Sequence, residues 1–107
     1  AEIAVKVEAL LKRDSELSKL LKRPTTNARL DLERKIKHSL CSRECILAQI
    51  QLFTIVGRTQ LVEQAQAKLQ EVKDRLEHMA NEWEGSDFSS LDFWEDPVED
   101  EHADALR

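Results

Sequence analysis

The sequence predicts an all-α protein of three helices, in which helices two and three form a long antiparallel coiled-coil hairpin behind a preceding helix, with an acidic irregular C-terminal tail. Three observations predict it. Apolar residues recur in alternating steps of three and four over most of the chain, the spacing of a helix with one buried stripe. Gly and Pro occur only twice each in 107 residues, too few for a fold of many tight turns. The composition is 41% apolar and 35% charged with no Tyr, the usage of long helices whose buried area is a seam.

The first helix, about 2–23, carries Ile3, Val7, Leu10, Leu17 and Leu21 on its stripe, with Asp14 in the one slot that ought to be apolar. Pro24 ends it, and Thr25, Thr26 and Asn27 are N-cap residues for a second helix over about 27–56. That helix is apolar on two nearly opposite faces. Leu32, Ile36, Leu40, Ile46, Leu47, Ile50 and Phe53 form one, and Leu30, Cys41, Cys45, Ala48 and Leu52 the other. Helix three, about 59–84, covers only one of them. The second seam therefore needs helix one or another chain. Helix three has the clearest period, Val62, Ala65, Leu69, Val72, Leu76, Met79 and Trp83. At the turn between helices two and three, Ile55 and Val56 stand beside Gly57, which makes the hairpin tip a candidate contact. Asp14 is either a registry device for a second chain or, in a hairpin about residue 25, a neighbour of Ile36 within reach of Lys35 or Lys37.

Residues 1–84 read as the helical unit and 85–107 as the tail. The first holds 15 basic and 13 acidic groups, the second 1 and 8. The window 19–43 is densest, at +6. It offers Arg34, Lys35 and Lys37 as a basic patch for phosphates of a nucleic acid or a membrane surface, though without an aromatic residue for base stacking. Because a hairpin about Gly57 returns the end of helix three to the start of helix two, the acidic tail emerges beside this window and is expected to fold back along it.

The tail GSDFSSLDFWEDPVEDEHADALR holds three of the five aromatic residues. Phe88, Leu91 and Trp94 fall at steps of three with Phe93 adjacent, so a helix of two turns before Pro97 would put them on one side. Large apolar anchors flanked by carboxylates suit a segment that enters a groove with a basic rim. Asp87-Phe88-Ser89-Ser90-Leu91 resembles the aromatic-x-x-aliphatic core of motifs that bind autophagy ubiquitin-like modifiers. Phe88, Leu91, Phe93 and Trp94 resemble the anchors of acidic activation domains. Asp92-Phe93-Trp94-Glu95-Asp96 is similar to the tryptophan-acidic cargo motif of kinesin light chains, with Asp92 where that motif has an aliphatic residue. Whether the aromatics latch onto the chain's own helices or bait a partner is left open by the sequence.

His38, Cys41 and Cys45 lie at i, i+3 and i+7, but a tetrahedral metal site lacks its fourth ligand, and His78 and His102 stand apart. The cysteines read instead as small apolar residues of the second seam. Their C-x3-C spacing is similar to half of the paired motif of small mitochondrial import chaperones; a second pair is absent. Two thiols one helical turn apart suit a reducing compartment, cytoplasm or nucleus. No apolar run approaches membrane-spanning length. No phosphate-binding loop, nucleophile elbow or zinc-protease signature is present, so neither enzyme activity nor a cofactor is expected.

The resulting expectation is a non-enzymatic protein–protein interaction module, an adaptor, scaffold or subunit of a larger assembly, whose partner is a helical chain or a second copy. Its partner-binding residues would be Leu30, Cys41, Cys45 and Leu52 in the second seam, Ile55 and Val56 at the tip, and Phe88, Leu91, Phe93 and Trp94 in the tail. In outline, a short helix before an antiparallel finger is similar to domains with which some effectors bind Rho-type GTPases. That outline gives one alternative, and phosphate binding by the basic window gives another.

Overall fold

A computed structural model describes residues 2–83, 85 and 87–96. Three helices, α1 (Glu2–Leu21), α2 (Ala28–Ile55) and α3 (Thr59–Ala80), make up its regular structure, and no strand occurs among the described residues. The radius of gyration is 15.7 Å and the extents are 55 × 27 × 23 Å, against about 13 Å for the radius of a compact domain of this length. The molecule is a rod whose long dimension is set by α2, about 42 Å at 1.5 Å per residue.

α2 is the central element. On one face Ile36, Leu40 and Ile46 pack with Ala65, Leu69, Val72, Leu76 and Met79 of α3 and with Trp83. On another, Cys41, Cys45 and Ala48 pack with Val7, Leu10 and Leu17 of α1, joined by half-buried Ile3, Leu20 and Leu52. Each side chain in these seams removes apolar area from water at about 25 cal/mol per Å². The two seams explain why α2 is apolar on two sides. The cover of its second face is α1.

The ends follow local chemistry. Asn27 caps α2, its side-chain oxygen accepting from the Leu30 amide at 3.0 Å. At the other end, the Gly57 amide donates to the Thr54 carbonyl at 3.2 Å and the Arg58 amide to that of Phe53 at 2.9 Å. This paired closure needs a left-handed residue, and Gly57 supplies it at φ +74°. α1 stops two residues short of the expected 23, in a turn where Lys22 and Arg23 donate to Lys19 and Leu20. α3 stops at Ala80 and not at 84, because the chain tightens into a three-residue turn from Glu82 to Met79. Trp83 nevertheless stays buried, with the Arg29 guanidinium 4.5 Å over its ring.

Candidate interaction surface

The described stretch of the tail, 87–96, is built from two turns, each opened by an aspartate. Asp87 accepts from the Ser89 amide at 2.9 Å and from its hydroxyl at 3.0 Å. Asp92 accepts from the Trp94 amide at 2.9 Å. Main-chain bonds from Leu91 to Phe88 and from Glu95 to Asp92 close the turns. The expected two-turn helix is absent from 87–96: short carboxylate side chains capture the amide two residues on, in competition with helical bonding. The Ser89 bonds also hold the exposed Asp87 carboxyl below its usual pKa.

Each turn places a phenylalanine on the scaffold. Phe88, Leu91 and Phe93 pack against the α2–α3 core, and Phe93 also reaches the α1–α2 core. Phe88, Ser89, Leu91 and Phe93 line a hollow with Leu40 and Arg43. Two cations fix the backbone. Arg13 Nε donates to the Phe93 carbonyl at 2.6 Å and its Nη2 to Asp96 at 2.9 Å. Lys37 Nζ donates to the Glu95 carbonyl at 3.0 Å. Both are almost wholly enclosed, Arg13 at 7% exposure and Lys37 at 5%, so these charge-assisted bonds act where water competes little. Trp94 turns the other way. It stacks obliquely on Phe93, centroids 5.2 Å apart, and remains 51% exposed.

Arg13 was not marked by sequence reasoning, although Val7, Leu10, Arg13 and Leu17 fall at helical steps on one buried stripe. An arginine on such a stripe signals a partner for its head group. Asp14, beside it, accepts from Ser42 Oγ at 2.8 Å and lies 3.0 Å from His38 Nε2. Neither Lys35 nor Lys37 pairs with it, contrary to expectation. The six-residue connector between α1 and α2 sets a register in which residue 14 faces 38 and 42.

The other sequence candidates distribute as follows. Leu30, Cys41 and Cys45 are buried and Leu52 is half-buried, in the monomer's own packing. Ile55 and Val56 stand out at the tip, 72% and 57% exposed, beside exposed Leu61. Of the basic patch, Arg34 is buried and donates to the Arg23 carbonyl at 3.1 Å. Exposed Lys35 pairs with Asp31 at 2.8 Å, which raises its pKa, and Lys37 holds the tail. Burial pushes the Cys41 thiol up to about 12 and the Cys45 thiol up as well, with Asp14 adding to both. The two thiols are unbridged. His38, Cys41 and Cys45 do not converge: no group of three metal-ligating side chains occurs among the described residues. No helix among them is long and apolar enough to cross a membrane. Pro97, His102 and the rest of 97–107, with Glu84, lie outside the described residues.

No family model, curated protein or solved structure matches the chain.

Proposed function

We propose that the chain is a non-enzymatic protein–protein interaction module, an adaptor or a subunit of a larger assembly. The observation that carries this reading is the hairpin tip. Loops of monomeric proteins are normally polar, yet Ile55 and Val56 flank the Gly57 turn with most of their surface in water, and Leu61 beyond it is 38% exposed. They sit at the end of a rod whose remaining α3 surface is largely charged or amide-bearing. The exposed ring of Trp94 adds a second apolar contact point, on the docked tail.

Aspartate at both Ile55 and Val56 tests the reading. Exposed substitutions of this kind change stability by within about 0.5 kcal/mol, so the variant keeps its urea midpoint. Affinity capture from the native source is expected to lose specific partners relative to wild type. Identical capture by the two proteins would refute a role for the tip.

A further inference from the structure

We infer that the cleft across α2, lined by Arg13, Lys37, Leu40 and Arg43, is a receptor for an acidic, aromatic segment of a partner protein, with residues 87–96 as its built-in competitor. The inference deepens the interaction reading and rests on it. Two of the three hydrogen bonds that reach the tail from Arg13 and Lys37 end on main-chain carbonyls, those of Phe93 and Glu95. They recognise the path of an irregular backbone and leave its side chains open to variation. The third takes a carboxylate, Asp96.

Apolar anchors fill the rest of the cleft, and each is only partly buried. Such a fit admits other aromatic and aliphatic residues at the same spacing. With the tail removed, the nearest carboxylates to the two enclosed cations are Glu16, 3.4 Å from Arg13, and Glu33, 3.6 Å from Lys37. Both contacts are long for charge-assisted bonds, so the cleft favours an occupant that brings carbonyls and negative charge. The surrounding +6 window attracts such a segment at long range.

The occupant is a partner protein and not a second copy of this chain. Trp83 is buried against the helical core two residues before Gly85, the left-handed residue from which the tail departs. This anchor holds the tail's origin on its own scaffold and shortens its reach to a neighbour. The same short tether gives the tail a high effective concentration in cis, in the millimolar range for short linkers. An external segment therefore competes against a closed form.

The test uses the full chain and a fluorescein-labelled peptide of sequence DFSSLDFWED, read by anisotropy. A tail-released chain carries Phe88→Ala, Leu91→Ala and Phe93→Ala. A tail closed about nine-tenths of the time lowers apparent affinity about tenfold, so the released chain should bind the peptide at least tenfold more tightly than wild type. Adding Arg13→Met to it should reverse at least tenfold of that gain. Equal binding by wild-type and released chains, or indifference to Arg13→Met, would overturn the proposal. Self-association of the wild-type chain at the same concentrations, lost in the released chain, would assign the cleft to a second copy and overturn it too. If the triple variant fails to fold, wild type suffices: saturating unlabelled peptide must accelerate amide exchange in 87–96, and unchanged exchange rejects displacement. The tip variant leaves this cleft intact, so failure here and failure of the interaction reading are separable.

Discussion

Replacing Arg13 with methionine keeps a long apolar stem on the α1 stripe and removes the head group that holds the tail. Two interactions go. The bond from Nε to the Phe93 carbonyl is 2.6 Å long and enclosed, and a hydrogen bond of this charged kind contributes about 1.5–3 kcal/mol. The pair with Asp96, whose carboxylate is 70% exposed, adds at most about 1 kcal/mol after solvent screening. Methionine retains some of the packing, so docking should weaken by about 2–3 kcal/mol, or roughly 30- to 150-fold in the closed-to-open ratio. Amide exchange reads this directly. The Leu91 and Glu95 amides, bonded to Phe88 and Asp92 in the docked turns, should lose nearly all the protection that docking gives them, while amides around Val72 and Leu76 in α3 keep theirs. Unchanged protection in the tail would refute the assigned role of Arg13. Equal loss in α3 would show that Arg13 supports the whole bundle and not the tail.

Cysteine ionisation makes stability fall at alkaline pH. The folded state holds the Cys41 thiol protonated up to about 12, whereas an ordinary cysteine ionises near 9.0, so above pH 9 the unfolded chain releases a proton that the folded chain retains. Stability from this group is fully present below pH 9 and declines by up to about 1.4 kcal/mol per pH unit until the folded thiol ionises. Urea midpoints at pH 8, 9 and 10 should show a shallower decline in Cys41→Ala than in wild type; parallel declines would reject the burial argument. Gly57→Ala should cost about 1–2 kcal/mol in urea unfolding, since φ +74° is strained for any side chain and no atom within 4 Å would meet the new methyl group. No loss would mean that the turn closes differently.

Much of the scaffold was legible because its signals are local and periodic. α3 repeats its apolar stripe without interruption, Asn27 announces a cap, and Gly57 sits where the hairpin must turn. The two-faced pattern of α2 correctly asked for two covers, but spacing alone does not say whether Leu17 and Val7 or a foreign chain supplies the second. The apolar period outruns α3 because Trp83 continues the heptad, and an apolar side chain keeps its period even when the backbone has left the helix. The tail misled for a related reason. Steps of three between Phe88, Leu91 and Trp94 fit a helix or a pair of turns equally well, and the aspartates that decide between them, Asp87 and Asp92, each precede the phenylalanine that docks. That helical spacing puts Trp94 on one side with Phe88 and Leu91, whereas the turn from Asp92 aims Phe93 at the scaffold and leaves Trp94 51% exposed. Arg13 stayed hidden because pattern reading discounts a charged residue on a buried stripe, which is the place where such a residue needs a partner.

The central claim is that one acidic, aromatic segment lies against α1 and α2 of its own chain, where we propose that a partner's segment can replace it. Proton–proton NOEs from a selectively labelled Phe93 ring test it most directly. Cross-peaks from that ring to the methyl groups of Leu40 on α2, together with cross-peaks to methyls of the α1 seam, are the predicted result. A Phe93 ring at random-coil shifts, with no contact to either helix, would contradict the account.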